Sequence, residues 1–265
     1  MCTVVVVHRL RRDFPLVVAA NRDEMVSRPA SSPRRRTTPG APAIACGIDE
    51  ARGGTWMGVN ERGLFVGLTN QRAAEPPDPS RRSRGHVVMD ALQMRDVAAV
   101  RAAITRLDPQ AYNGFNLVYG DGEALEVAYS RPDARRIEIE PVAEGVHVLP
   151  NDVVDSPRFP KVDRALELVG DPADLPWPEL AARLRAVLAD HEQPPPTATE
   201  PSASPFDPDV LRALQALCIH LPFYGTRSAT IAAIEPGRIA HYGFAAGPPC
   251  ETPFIEYRHL VDRSD

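Results

Sequence analysis

Among its 265 residues the sequence has a single lysine, Lys161, and only 6% aromatic residues. The net charge is −5 and no basic stripe interleaves with aromatics, which argues against a general nucleic-acid binder. Arginine carries the rest of the positive charge, a bias that fits a G+C-rich genome; phosphate recognition by arginine is the weaker alternative. The four cysteines, Cys2, Cys46, Cys218 and Cys250, include no C-x-x-C pair, and with seven scattered histidines they give no zinc-like spacing. The expectation is a reduced, cytoplasmic setting with no metal. No apolar run approaches the roughly 20 residues of a membrane span. The N-terminus lacks a charged segment followed by an apolar one, so no signal peptide is expected and position 2 is retained.

What is present is ordinary globular material: 43% hydrophobic and 25% charged residues, enough chain for one large α/β or α+β domain over residues 1–265. The informative stretch is the first two dozen residues. Cys2 follows the initiator Met, and cysteine is small enough for methionine aminopeptidase to expose it. Thiol and α-amine would then sit on one residue. An α-amine with an ordinary pKa of about 7.7–8.0 can act as a base near neutrality. The thiolate is the reactive form of the sulfur, so nucleophile and base would share Cys2.

Residues 3–7 are β-branched and apolar and read as a buried strand that carries Cys2 at its start. Residues 8–15 read as a polar hairpin connection, and residues 16–20 as the return strand. Asn21-Arg22-Asp23-Glu24 would then lie at the end of that strand, beside Cys2. There Arg22 would lower the thiol pKa and Asp23 would hold the amine or the guanidinium. The plainer reading is an incidental cysteine next to a solvated turn.

Residues 25–42, rich in Arg, Ser and Pro and including Arg34-Arg35-Arg36, read as a loop, either solvated or a lid over the site. Cys46 reads as a buried structural thiol. Residues 53–60 and 64–70 read as two strands joined by an Asn-Glu-Arg-Gly turn, with Asn70 where the second runs out. Asn70 is a strand cap or an oxyanion donor. Two helical patterns follow within residues 85–107, broken near Arg95-Asp96. Asn113-Gly114 is a turn signal ahead of a strand over residues 115–119, in which Asn116 faces either a pocket or the sheet edge. Further strands are expected at 123–129, 135–140 and 145–149, then helices at 162–169 and 178–190 and a Pro-rich loop over 191–208. A short helix over 210–217, a hairpin around Pro236-Gly237 and an edge strand over 252–257 complete the chain.

Cys2 with Asn21-Arg22-Asp23-Glu24 resembles the NRDE family, to which transport and Golgi organization proteins belong. The resemblance extends through Gly54-Thr55-Trp56-Met57-Gly58, Leu68-Thr69-Asn70, Tyr112-Asn113-Gly114-Phe115-Asn116, the segment Asn151 to Lys161, and Tyr224-Gly225-Thr226-Arg227-Ser228. It is more distantly similar to the choloylglycine hydrolase and penicillin V acylase group of N-terminal nucleophile hydrolases. That resemblance implies an α+β fold, a four-layer αββα sandwich. It also implies catalytic roles for Cys2, Arg22, Asp23, Asn70, Asn151 and Arg227, with Asn21, Glu24, Trp56, Asn116 and Tyr224 on the substrate side. The implied activity is an N-terminal cysteine amidohydrolase that cleaves a small amide through a Cys2 thioester, with no cofactor. The alternative is a haem or acyl-lipid carrier without catalysis, with haem as its ligand. The expected partner is a small-molecule amide or acyl substrate, with neither nucleic acid nor an integral membrane segment.

Overall fold

The computed structural model describes residues 2–71, 76–195 and 207–262. Residues 72–75, within the polar, Pro-bearing stretch 72–85 that also reads as a loop, and residues 196–206 of the Pro-rich loop lie outside the described residues. The chain opens with β1 (Thr3–His8) and β2 (Leu16–Met25), followed by β3 (Arg34–Arg36), β4 (Ile44–Cys46), β5 (Met57–Asn60) and β6 (Phe65–Asn70). Helices α1 (Arg84–Leu92) and α2 (Val97–Ile104) precede β7 (Phe115–Gly120), β8 (Leu125–Ser130), β9 (Glu138–Pro141) and β10 (Gly145–Leu149). After α3 (Pro160–Val169), α4 (Trp177–Leu188) and α5 (Pro208–Ala213) come β11 (Tyr224–Glu235), β12 (Arg238–Ala245) and the short β13 (Ile255–Glu256).

The strands form two antiparallel sheets, one ordered β10-β1-β2-β11-β12-β13 and the other β3-β4-β5-β6-β7-β8-β9. Side-chain alternation explains why the four central residues of β1, Val4 to Val7, are all valine. Val4 and Val6 enter a core shared with Met57, Phe65, Val118 and Val127 of the other sheet. Val5 and Val7 face the opposite way, against Val162 and Ala165 of α3 and Leu180 and Leu184 of α4. A strand buried on both faces needs apolar side chains at both parities. A third cluster packs Val87, Val88, Leu92, Val100 and Ile104 of α1 and α2 on the outer face of the second sheet. Three apolar layers between four layers of secondary structure make the αββα sandwich.

Several boundaries differ from the sequence reading. β2 runs on to Met25, so Asn21 to Glu24 belong to the strand, because β11 pairs with it along that length. The Arg-rich stretch is not all loop. Arg34–Arg36 pairs with β4 as a fully exposed edge strand, and charged side chains there protect an open sheet edge from further pairing. The hairpin connection is not simply solvated either. The Arg11 guanidinium is buried and donates to the carbonyls of Pro172 at 2.7 Å and Leu175 at 2.6 Å, which ties the hairpin to the loop before α4.

Asn60 closes the turn between β5 and β6. Its Oδ1 accepts from the backbone N–H of Arg62 (2.9 Å) and Leu64 (3.1 Å), and its Nδ2 donates to the carbonyls of Leu92 and Met94 (both 2.9 Å). Gly63, at φ +83°, takes the left-handed position of that turn. Since Asn60 is fully buried, Asn60→Ala removes four hydrogen bonds, two of them buried, and should cost roughly 2–3 kcal/mol. Urea unfolding midpoints check this, with the exposed Arg62→Ala expected to change stability by less than about 0.5 kcal/mol.

Candidate active site

The register of the first hairpin places the site. Thr3 pairs with Asn21, so one step further Cys2 stands opposite Arg22. Cys2 continues the inward-facing parity of Val4 and Val6 and lies half-buried at the end of β1. The other edge of β2 pairs with β11, where Thr226 faces Asp23 and Ser228 faces Arg22. Arg227 is the extra residue between them, a β-bulge of the kind that re-aims side chains next to active sites.

Arg22 and Asp23 leave β2 on opposite faces. The Arg22 guanidinium turns between the sheets and stacks 4.4 Å above the Trp56 ring. Burial lowers its pKa, while the negative charges of Cys2 thiolate, Glu24 and Asp49 support its cationic form. Asp23 turns toward the helices. Its Oδ1 accepts from Thr226 Oγ1 at 2.7 Å, and its backbone carbonyl accepts from the Tyr224 hydroxyl at 2.7 Å.

Lys161, the chain's only lysine, comes from the first turn of α3 into this buried ground at 2% exposure. Its Nζ lies 3.4 Å from Thr3 Oγ1, and its charge acts on both Asp23 and the Cys2 thiolate. Burial pushes the lysine pKa down and the Asp23 pKa up; the opposite charges of the two groups offset part of each shift. Burial raises the Cys2 thiol most; the N-terminal ammonium opposes it, Asp23 raises it further, and the backbone N–H of Asp23 and the Arg22 charge pull it down. Arg84 brings another cation to bear on Cys2 while donating to the Gly114 carbonyl at 3.0 Å.

A second group of residues joins the two sheets. Thr69 Oγ1 donates to the Pro150 carbonyl at 2.9 Å, and Asn151 Nδ2 donates to the Asn70 carbonyl at 2.7 Å. Asn70 thus ends β6 half-buried, and the loop after β10 is fastened to it. Asn151 Oδ1 is buried without a partner among the described residues.

Not every expected residue faces the substrate side. Asn21 points to the helix layer, and its Nδ2 is spent on the carbonyls of Leu188 and Leu217, both at 2.8 Å. Strand parity puts it on the face opposite Arg22. Asn116 is fully buried; its amide donates to Thr69 Oγ1 and the Asp152 carbonyl and accepts from Gln71 Nε2. It is a brace between β7 and the loop after β10. Glu24 accepts from the Met25 N–H and lies 3.7 Å from Arg28, which also pairs with Asp49. The expected list lacked Lys161, Thr226 and Arg84. A lone lysine in an arginine-rich chain was the available sign for the first.

Two surface clefts lie elsewhere, one lined by Pro42, Arg62 and Met94 and one by Tyr129, Val142 and Val154. Neither contains Cys2, so charge and geometry rather than cavity size mark this site. Groups able to ligate a metal also converge elsewhere: His191, Cys218, His220 and Cys250 meet although nothing in their spacing suggests it.

Known proteins resemble this chain in sequence and in fold. The family model of Transport and Golgi organisation 2 matches residues 1–242. The Transport and Golgi organization protein 2 homolog of Bos taurus is 31% identical over 230 residues, covering 84% of this chain and 83% of that protein. The Homo sapiens homolog is 30% identical over 233 residues with the same coverage of each. Among solved structures, the C2A mutant of conjugated bile acid hydrolase from Clostridium perfringens has a TM-score of 0.55 at 10% identity, covering 100% of this chain and 95% of that one. The Caenorhabditis elegans ortholog of N-acylethanolamine-hydrolyzing acid amidase has a TM-score of 0.54 at 10% identity, with 88% and 92% covered. Penicillin V acylase from Agrobacterium tumefaciens has a TM-score of 0.50 at 16% identity, with 99% and 88% covered. At these identities the likeness is one of fold.

If Lys161 supports the thiolate through its charge, Lys161→Met should raise the Cys2 pKa further. Iodoacetamide modification of Cys2 should then slow about tenfold near neutral pH and its pH profile should move upward, as loss of one nearby charge implies. The exposed Arg158→Ala is the control. An unchanged profile in Lys161→Met contradicts the coupling.

Proposed function

The chain belongs to the Transport and Golgi organisation 2 family, and from that premise we propose that it is an N-terminal cysteine amidohydrolase acting on a small acyl amide. One observation carries the reading: the β1–β2 register sets Cys2 opposite Arg22, and the buried Lys161 brings its charge to bear on both Asp23 and the Cys2 thiolate. A buried ammonium is costly unless charges compensate it, and here Asp23 and the Cys2 thiolate do so.

In the proposed cycle methionine removal exposes the Cys2 α-amine. That amine takes the thiol proton as Sγ attacks the substrate carbonyl carbon. The Asn70 side-chain amide donates to the oxyanion with help from backbone N–H groups, on a residue whose backbone carbonyl is anchored by Asn151. The tetrahedral adduct collapses, the C–N bond breaks, and the ammonium returns its proton to the leaving nitrogen. Water, deprotonated by the same amine, then attacks the thioester and releases the carboxylic acid, restoring the thiol. Arg22 and Lys161 hold the thiolate charge, and Thr226 holds Asp23. A substrate N–H is the donor that would satisfy Asn151 Oδ1. No step requires a metal or an organic cofactor.

The related folds are named for penicillin V, conjugated bile acids and N-acylethanolamines, which set the first panel of amides to assay. Cys2→Ala should lower kcat by at least about a thousandfold, the scale seen on removing a nucleophile. Asn70→Ala should lower kcat roughly 100-fold with a smaller change in KM. Turnover that survives Cys2→Ala contradicts the mechanism. Binding of haem or an acyl chain with no turnover, unchanged by Cys2→Ala, would favour the carrier reading instead.

A further inference from the structure

We propose that His191, Cys218, His220 and Cys250 form a structural zinc(II) site that fastens three separate segments behind Asp23. One ligand atom from each residue lies within 4.8 Å of the others. Three pair distances are known: Cys218 Sγ to Cys250 Sγ at 3.8 Å, Cys218 Sγ to His220 Nε2 at 3.6 Å, and Cys250 Sγ to His220 Nε2 at 3.3 Å. Tetrahedral zinc with bonds of about 2.3 Å to sulfur and about 2.0 Å to nitrogen separates two sulfurs by about 3.8 Å and sulfur from nitrogen by about 3.5 Å. The three atoms therefore already stand near the corners of a zinc tetrahedron. A disulfide would instead require the sulfurs to close to about 2.05 Å.

The fourth ligand is oriented as a metal-bound histidine usually is. His191 Nδ1 lies 3.1 Å from the Cys218 carbonyl, which fixes its tautomer with Nδ1–H as donor and leaves Nε2 with its lone pair for the metal. The His191 and His220 rings are 4.9 Å apart. Cys218 sits in a bend and His220 in the isolated bridge to Gly225, and the bend brings the Cys218 sulfur and the His220 ring together although the two are only two residues apart. Cys218 is buried while the other three are exposed, which gives a site at the surface that solvent zinc can reach. Two thiols, two neutral imidazoles and one zinc(II) make a neutral complex, with two thiol protons released to solvent on binding. The ligand set, two thiolates and two imidazoles with no vacant position, is that of a structural rather than a catalytic centre.

Its place in the fold gives the site a purpose. His191 follows α4, Cys218 and His220 precede β11, and Cys250 lies in the turn before β13. The Cys218 N–H already donates to the Asp190 carbonyl at 2.8 Å. Between the two central ligands, Ile219 N–H donates to Thr226 Oγ1 at 2.9 Å, and that hydroxyl donates to Asp23 Oδ1 at 2.7 Å. Zinc would fix the segment from which Asp23 is held. The proposal stands whether or not the protein is a hydrolase.

The test uses the untagged full-length chain, expressed with zinc and purified without chelator under reducing conditions. Elemental analysis should find about one zinc per chain, and cobalt(II) in its place should give the intense visible bands and thiolate charge-transfer absorption of a tetrahedral S2N2 site. Cys250→Ser and His220→Ala, both at exposed positions, should keep the fold by circular dichroism yet weaken zinc binding roughly 100-fold or more, beyond the effect of outer-shell changes. Cys2→Ala should keep its zinc, which separates this site from the nucleophile. Removing zinc should lower the thermal midpoint of the wild-type chain and leave that of Cys250→Ser unchanged. Absence of retained metal, weak octahedral cobalt bands, equal zinc in Cys250→Ser, or a Cys218–Cys250 disulfide in the reduced-purified protein would each overturn the proposal.

Discussion

The arrangement depends on placing opposite charges where the layers would otherwise be apolar. The end of β2 carries Asp23 at 3% exposure, and α3 brings Lys161 to it at 2%. Neither charge is tolerable there alone. Together, with Thr226 on the carboxylate and Thr3 near the ammonium, they are held at the end of a strand whose other residues are packed on both sides. Such a pair contributes little net stability compared with apolar residues of the same volume. What it supplies is a fixed electric field, and that field falls on Cys2.

The sandwich is what makes that field precise. β2 lies between β1 and β11, so its backbone is hydrogen-bonded on both edges and its side chains are fixed by parity. One face sends Arg22 onto Trp56 between the sheets, and the other sends Asn21 and Asp23 into the helix layer. Thr69, Asn116 and Asn151 then lock the second sheet to the loop after β10, so Asn70 arrives from the opposite sheet on a rigid mount. Groups that meet at the site come from chain positions as far apart as Asp23 and Thr226. The folded core, and not local chain stiffness, sets their geometry.

Much of this was legible in the chain. The valine run and its return strand specified a hairpin, and the hairpin put Asn21 to Glu24 next to Cys2. The break at Arg95-Asp96 separated α1 from α2, and Asp96 does cap the second helix by accepting from the Ala99 N–H. What was not legible depends on distance or on parity. Lys161 reaches Thr3 across most of the chain, a contact no local pattern encodes. Asn21 and Asn116 have the right composition for a polar site, yet register turned one toward the helices and enclosed the other in a brace. Arg34–Arg36 has no apolar alternation because both its faces are exposed, so its pairing with β4 left no periodic signal. The meeting of His191, Cys218, His220 and Cys250 is of the same kind: three segments brought together only by the fold.

The central claim is that Cys2 acts as nucleophile with its own α-amine as base. The most direct test is the intact mass of the freshly purified protein, together with sequencing of its first residue. The account predicts that methionine is absent and cysteine is the first residue in essentially all molecules. Retention of Met1 throughout the population would block the amine and contradict the mechanism, whatever the charges around the thiol.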